Sequence, residues 1–443
     1  MKTLKYISTL AFAGLILFTS CDKVLDVQPK MDLSDKTALA TTFGLQAAII
    51  GAYDRLQGGD LYGGRIWVAG DMIAGTVKIS GEQNTVYEEL QMLNKTMSAD
   101  NRITTSFWQN AYFTINLVNS VIAEIPNVDD ADIEEAKDRL EGEALFIRAM
   151  LYFDMVRYLG NPNTGEGVPY VTEPTGIEYQ PARDDIETCY QNIIADLKRA
   201  MDLLPASNSD RATNIAAEAL LARVYFYHGD YAEAEMACTN VIDNFGGDLE
   251  ENIIDNYSAT KSKEMIFGLM STETDASVGT LNGYYRFKSS AKFSPSNDFI
   301  QLLASETGAG DNRVKQLYAN YEGKFFTIKF DDRYMHVPLI RLSEMYLTRA
   351  ECRLMLDPDD SDGGSLADLS VIRDRAGLPA LNKVNATTIL IQRIKELAFE
   401  GDYLHNMKRL ERDVAGLPWN DIRLVYKIPQ RELDVNPNLT QNE

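Results

Sequence analysis

The stretch LARVYFYHGDYAEAEMACTNV, residues 221–241, determines the fold that we expect for this chain. Leu221 and Tyr225 lie four residues apart and so occupy one face of a helix. Gly229 stands where the chain turns, at a position that calls for a positive φ. Ala234 is a small residue that lets a second helix approach the first closely. The stretch therefore predicts two helices packed together as a hairpin.

Helix pairs of this kind are predicted along most of the chain. They resemble tetratricopeptide repeats, in which units of ~34 residues stack on one another. We therefore expect an all-α dominated fold, a superhelix of about four helix pairs with long irregular insertions and minor β structure. Such a stack offers an extended surface that is typical of binding. The apolar spacing predicts helices at about 37–57, 104–125, 132–159, 186–204, 213–228, 231–245, 337–356, 365–376 and 387–411.

The first residues predict export and attachment to a membrane by lipid. Lys2 and Lys5 precede an uncharged run over 6–18, which is shorter than the ~20 apolar residues of a membrane span. Such a start is typical of a signal peptide. The run ends in Leu17-Phe18-Thr19-Ser20-Cys21, which resembles the lipobox of bacterial lipoproteins. The alternative is an ordinary secretory signal that happens to end at a cysteine. We expect a signal peptide at 1–20, lipidation at Cys21, a lipidated tether at 21–34 and a single domain at 35–443.

The charge of the chain argues against nucleic acid as a partner. With 43 basic and 65 acidic residues, the formal net charge is −22, whereas phosphate backbones require a basic surface. The charge is compatible with neutral ligands. The other cysteines, Cys189, Cys238 and Cys352, are odd in number and far apart. They predict buried thiols and no disulfide framework.

A search for catalytic and metal-binding motifs finds none. The three histidines, His228, His336 and His405, are not spaced as a zinc site would require, and no phosphate loop or nucleophile elbow occurs. The acidic loop 357–364 departs from the spacing of a calcium-binding EF-hand. We therefore expect a protein that is not an enzyme, with no metal and no cofactor. A pair of catalytic carboxylates hidden in the fold is the alternative left open.

Two insertions, near 58–103 and 270–300, carry the aromatic residues that predict ligand binding. Exposed rings on loops pack against sugar faces, while amide and guanidinium groups bond to the hydroxyls. The alternative for each ring is that it merely covers its loop against the helices. By contrast, Trp108 belongs to a helical stripe and is expected in the core. The predicted ligand-binding residues are Tyr62, Arg65, Trp67, Asn84, Tyr87, Asn282, Tyr284, Tyr285 and Arg286.

A series of motifs, in order along the mature chain, resembles the SusD/RagB family of starch-utilisation-type outer-membrane lipoproteins. The end of the chain, with Asn436-Pro437-Asn438-Leu439, is the most distinctive of them. After Glu400-Gly401 the family usually has a basic residue and then Asp-Leu, whereas this chain has Asp402-Tyr403. The other matching motifs are Leu25-Asp26-Val27, Glu143-Ala144-Leu145-Phe146-Ile147-Arg148-Ala149, Arg211-Ala212-Thr213, Ile340-Arg341-Leu342-Ser343-Glu344, Ile372-Arg373-Asp374-Arg375-Ala376-Gly377 and Ile428-Pro429.

The resemblance implies a nutrient-binding lipoprotein on the outer membrane, facing the cell exterior and attached to the membrane only through its lipid. Its expected ligand is an oligosaccharide or polysaccharide. Its expected partner is a SusC-like TonB-dependent barrel, over which it acts as a lid. The family's ligand contacts come from variable loops, so no ligand-binding residue is transferred by motif. Two alternatives remain: a structural or assembly lipoprotein that holds a protein partner, and a peptide-uptake lid of the same type.

Overall fold

The computed structural model describes residues 35–80, 85–176, 178–287, 291–305 and 310–443. It is 55% helical, as an all-α dominated fold requires. The α-helices of the described part are α1 Asp35–Ala38, α2 Thr42–Gln57, α3 Arg65–Ala74, α4 Tyr87–Leu93, α5 Arg102–Glu124, α6 Ile133–Leu159, α7 Ile186–Leu203, α8 Asn214–His228, α9 Tyr231–Asn244, α10 Gly279–Tyr285, α11 Asn297–Leu303, α12 Asn312–Leu317, α13 Leu342–Leu356, α14 Gly364–Arg375, α15 Ala386–Glu396, α16 Asp402–Arg409 and α17 Gln430–Val435.

The core of the protein is a stack in which consecutive long helices pack on one another. The order of contact is α2, α5, α6, α7, α8, α9, α13 and α14, which makes four successive pairs. The predicted hairpin lies in the middle of this stack, as α8 and α9. Gly229 joins the two helices with φ +98°, and Ala234 is fully buried between them. The predicted superhelix of about four helix pairs is thus confirmed.

Helix α6 lies in the middle of the first half of the stack and links the helices on its two sides. Most of its residues are buried, since it packs against α5 on one side and α7 on the other. Arg148 extends from α6 to α7, where its Nε and Nη2 each donate a 2.7 Å hydrogen bond to the Asp196 carboxylate. Such a bidentate pair fixes orientation as well as adding energy. The middle of the stack is therefore held in register by a side-chain bridge.

The strands form three small antiparallel sheets, each of two strands: β1 with β3, β2 with β6, and β4 with β5. The sheet of β1 and β3 connects the two insertions to each other. Their bounds are β1 Val77–Ile79, β2 Met265–Leu269, β3 Phe293–Pro295, β4 Tyr318–Tyr321, β5 Lys324–Thr327 and β6 Val337–Arg341.

The region 58–103, predicted to be irregular, contains two helices and a strand. Nine of the ten residues of α3 are buried, among them the carboxylate-bearing Asp71. A helix surrounded by protein is apolar on all sides and lacks the amphipathic period by which surface helices are recognised. The absence of a helical period of apolar residues in this segment therefore reflects its burial.

Two other predicted helices differ from the structure. The segment 337–356 begins as strand β6, because its first residues pair with β2, and the helix begins only at Leu342. The segment 387–411 is two helices, α15 and α16. Phe399 and Gly401 between them adopt left-handed φ values of 64° and 77°, which an α-helix cannot contain.

Other expectations are confirmed. Cys189, Cys238 and Cys352 are buried free thiols, and Trp108 lies in the core. The predicted signal peptide and tether, including Cys21, lie outside the described residues. From residue 35 onward, no helix of the described part is both long and apolar enough to span a membrane.

Candidate functional site

The two insertions that were predicted to bind ligand lie against each other. Strand β1 of the first pairs with β3 of the second, with Lys78 opposite Ser294. The N–H of Leu281 also donates a 3.3 Å hydrogen bond to the carbonyl of Gly63. A Cβ on Gly64 would lie 2.7 Å from Thr280 Cβ, so this approach requires a glycine. We call this combined surface, formed by residues 58–80, 85–103, 279–287, 291–295 and 318–327, the insertion face.

Beneath the surface of the insertion face, Tyr284 is held by the carboxylate of Glu89 in the first insertion. Its hydroxyl donates a 2.8 Å hydrogen bond to Oε1 of Glu89, and Lys292 Nζ donates one of 2.7 Å to the same oxygen. Burial, followed by the charge of Glu89, raises the pKa of Tyr284 to about 12. The hydroxyl is therefore protonated at neutral pH and acts as a donor.

Tyr285, the next residue, makes a parallel connection. Its hydroxyl donates to Oδ2 of Asp71 at 2.6 Å, and Thr76 Oγ1 donates to Oδ1 at 3.0 Å. Burial raises the pKa of Asp71 to about 7, even though both hydrogen bonds favour its charged form. Two neighbouring tyrosines thus join α10 to α3 and α4 through carboxylates.

Two of the other three predicted rings, Tyr62 and Trp67, also lie inside the protein. Tyr62 donates from its hydroxyl to Oδ2 of Asp154 at 2.6 Å, and Trp67 packs beside Phe330. Both line a largely enclosed cavity of about 40 Å³. A water needs ~10–15 Å³ of such space, so the cavity has room for a few waters and none for a sugar ring.

For four of the five predicted rings, these contacts favour the alternative in which the ring covers its loop against the rest of the protein. Tyr62, Trp67, Tyr284 and Tyr285 are all buried. Each tyrosine satisfies its hydroxyl with a carboxylate while its ring adds to the core, an arrangement in which buried tyrosines are stable. Tyr284 and Tyr285 join the two insertions, whereas Tyr62 packs the first insertion against α6 and Trp67 packs it against Phe330.

The remaining predicted residues are nearer the solvent. Tyr87 begins α4 and is 71% exposed. Arg286 is exposed at the end of α10, and Asn282 Nδ2 donates to the carbonyl of Phe330 at 2.7 Å. Arg65 is half-buried, and forms an ion pair with Asp60. Asn84 lies outside the described residues.

The sequence reasoning missed Tyr321 as a ring of the insertion face. It is 37% exposed on β4, and its ring meets Phe287 edge to face at 6.0 Å between centroids. The hairpin is fixed to the first insertion by Lys324, whose Nζ donates to the carbonyl of Ser80 at 2.7 Å. A signal was present in the sequence, since Glu322-Gly323 is a turn between two short aromatic segments.

The surface of the insertion face carries aromatic and cationic side chains. Tyr87, Phe287 and Tyr321 supply apolar rings at its surface, and Arg286 supplies an exposed cation. Within the described ranges, no group of three or more His, Cys, Asp and Glu side chains is arranged to hold a metal ion.

Comparison with known proteins identifies the family. Residues 23–226 match a family model described as "Starch-binding associating with outer membrane" of the SusD-like type, and residues 324–419 match the SusD family model itself. The chain belongs to the SusD/RagB family.

Individual SusD relatives agree in fold. The SusD-like protein P2 of Formosa agariphila is 29% identical over 262 residues, which is 57% of this chain and 50% of the relative, so the match spans half of that protein's length. A SusD superfamily structure from Bacteroides thetaiotaomicron is 26% identical, covers 91% of this chain and 100% of its own, and superposes with a TM-score of 0.81. A structure described as a laminarin-binding SusD-like protein covers 91% of this chain and 99% of its own, with a TM-score of 0.75 at 22% identity.

The motifs that carry the SusD resemblance meet in a buried ion network. Arg341 is its centre: Nη1 lies 2.7 Å from Glu264 Oε1 and 3.0 Å from Glu396 Oε1, and Nη2 lies 3.0 Å from Glu400 Oε1. Arg375 pairs with Glu264 and Glu396 in turn, at 2.7 and 2.5 Å. The network joins β6 to α14, to α15 and to Glu400, which follows α15.

The same network includes Lys329, which lies two residues after the end of β5. Its Nζ lies 2.6 Å from Glu400 Oε1. Burial alone would raise the pKa of Glu400, but the charges of Arg341 and Lys329 outweigh burial and lower that pKa below its usual value. These charged residues therefore stabilise one another in the protein interior.

Proposed function

We propose that the protein is a cell-surface nutrient-binding lipoprotein that binds a glycan at its insertion face. It passes the glycan to a SusC-like TonB-dependent outer-membrane transporter, over which it acts as a lid. The observation that carries the proposal is the meeting of the two insertions in one face, with Tyr87, Phe287 and Tyr321 at its surface. The laminarin-binding relative supports a glycan as the class of ligand.

The chemistry of the face suits a neutral saccharide. Sugar rings have apolar C–H faces that pack on aromatic rings, and their hydroxyls accept hydrogen bonds from groups such as the Arg286 guanidinium. A few partly exposed rings give only modest affinity for one sugar unit. A polymer that contacts several rings at once gains by multivalency, since later contacts are intramolecular.

The lid role depends on an anchor outside the described residues. In this proposal lipid on Cys21 holds the protein to the outer membrane, and residues 21–34 are the tether between the lipid and the domain. A SusC-like barrel is the protein partner. The described stack of helix pairs supplies an extended surface for that contact.

Affinity electrophoresis through gels that contain laminarin, starch or other polysaccharides tests the glycan proposal. We expect at least one polysaccharide to retard the wild-type protein. Replacement of both Tyr87 and Tyr321 by alanine should weaken binding about tenfold, equivalent to ~1.4 kcal/mol. Tyr179→Ala is the matched control, because Tyr179 is also exposed, at 54%, but lies outside the insertion face.

Two outcomes would contradict the proposal in different ways. If no polysaccharide in a broad panel retards the protein, the glycan assignment fails. If the protein nevertheless copurifies with a barrel, an assembly role is favoured. Because the proposal assigns binding without catalysis, bound polysaccharide should also gain no reducing ends during incubation.

A further inference from the structure

A second pocket lies among α6, α8 and α16, and no residue of the insertion face lines it. Its volume is about 160 Å³. Three cationic side chains, Arg157, Lys408 and Arg409, line it together with His405 and the half-buried ring of Trp419. This concentration of positive charge is unusual in a chain whose net charge is −22.

Two of the three cations in this pocket are already neutralised by carboxylates. Arg157 forms an ion pair with Asp154, and Arg409 Nη2 lies 2.7 Å from Glu351 Oε1. For Lys408, no carboxylate of the described residues lies within ion-pairing distance. Burial lowers the pKa of Lys408 to about 8, with no opposing charge to restore it. The pocket therefore holds one cation whose charge is uncompensated.

His405 supplies a second and independent sign of a ligand. It is only 3% exposed, and in the described part of the chain its Nε2 has no hydrogen-bond partner. Nε of Arg157, which lines the same pocket, is likewise without one. A buried donor left unpaired costs ~1–3 kcal/mol. Two such atoms around one pocket indicate a ligand group that forms hydrogen bonds with them.

We propose that this pocket binds an oxyanion group, either the carboxylate or the sulfate of an acidic saccharide. Lys408 Nζ supplies the charge, and His405 and Arg157 supply N–H donors. At the ~10–15 Å³ that one water needs in such a space, the pocket has room for roughly ten waters, which is enough for an oxyanion and part of the sugar that carries it. Trp419 offers a ring to the apolar part of that sugar. This site is separate from the insertion face, so neither proposal depends on the other.

Titration of the purified protein with sodium sulfate, sodium glucuronate and glucose, at constant ionic strength, tests the site. With ¹³C-labelled histidine, the three histidines give three ring signals, and the His405→Gln variant identifies that of His405. We expect the His405 signal to shift to saturation with sulfate, glucuronate or both, and not with glucose. Sulfate alone would identify a sulfate-ester site, and glucuronate alone would identify a uronate site.

Lys408→Gln should weaken anion binding at least tenfold. Lys383→Gln is the matched control, because Lys383 is an exposed lysine outside the pocket. Absence of a shift with either anion, an equal shift with glucose, or unchanged affinity in Lys408→Gln would overturn the proposal. If Lys408→Gln does not fold, the titration of the wild-type protein decides alone.

Discussion

The Tyr285 hydroxyl donates a 2.6 Å hydrogen bond to Oδ2 of Asp71, although the two residues lie 214 positions apart in the chain. Asp71 belongs to the first insertion and Tyr285 to the second, so this bond helps to set the position of one against the other. Both side chains are buried. A carboxylate in such a place is sensitive to pH, because burial opposes its charge.

Asp71 should make stability fall as pH rises from about 4 to about 7. Its folded-state pKa is raised from 3.8 to about 7, chiefly by burial, while the opposite charges of Lys329 and Glu400 act on it in opposite directions. In this window the folded protein keeps a proton that the unfolded chain has lost. The free energy of unfolding therefore falls by up to ~1.4 kcal/mol for each unit that the pH rises.

Urea unfolding of the wild-type protein and Asp71→Asn at pH 5, 6, 7 and 8 measures this effect. Because asparagine does not titrate, the free energy of unfolding of the wild type should decline relative to the variant as pH rises. Subtracting the two profiles removes the contribution of other groups. Parallel profiles would show that Asp71 has an ordinary pKa.

Arg341→Met should destabilise the protein by ~3–5 kcal/mol, the usual cost of removing one partner from a buried ion pair. The substitution leaves Glu264, Glu396 and Glu400 without their central cation. Arg423→Met is the control: Arg423 is exposed and pairs with Asp421, and such pairs contribute ~0–1 kcal/mol. A similar midpoint shift in urea for both variants would contradict the central role of Arg341.

The helical stack could be predicted because the residues that determine each helix pair are close together in the sequence. Leu221, Tyr225 and Gly229 are close in sequence, and the spacing of apolar residues reports which face of each helix is buried. Helix α3 could not be found in this way, because a helix buried all round has no polar face. The break between α15 and α16 was missed since Phe399, not only a glycine, takes a positive φ there.

The sequence predicted which segments form the candidate site, but it could not predict which of their side chains are exposed. The sequence predicted ligand-binding residues in each of the two insertions, and the structure brings the two insertions together. It could not show that Tyr285 faces Asp71 or that Tyr62 faces Asp154, because those partners are 214 and 92 residues away. A tyrosine in an irregular segment has the same sequence signature whether its ring faces a ligand or a buried carboxylate.

Gly401→Ala should destabilise the protein more than Gly416→Ala does. Both glycines have nearly the same positive φ, 77° and 78°, so both variants have the same left-handed strain of ~1 kcal/mol. A Cβ at Gly401 would also lie 2.7 Å from Trp67 Cδ1, whereas one at Gly416 would meet nothing within 4 Å. The difference between the two free energies of unfolding therefore measures the close packing of Trp67. Equal losses in the two variants would show that Trp67 moves aside without cost.

Cys21→Ala should release the protein from the membrane and abolish growth on its glycan, while the affinity of the purified protein for that glycan stays unchanged. Each buried CH₂ of an acyl chain contributes ~0.8 kcal/mol to membrane binding, so the loss of several chains removes the anchor. Cys238→Ala is the matched control, since Cys238 is a buried thiol of the helical stack and should leave localisation unchanged. Membrane fractionation, growth curves and affinity electrophoresis measure the three effects separately. Release without a growth defect would mean that the lid does not need its tether, whereas retention in the membrane would mean that Cys21 is not the lipidated residue.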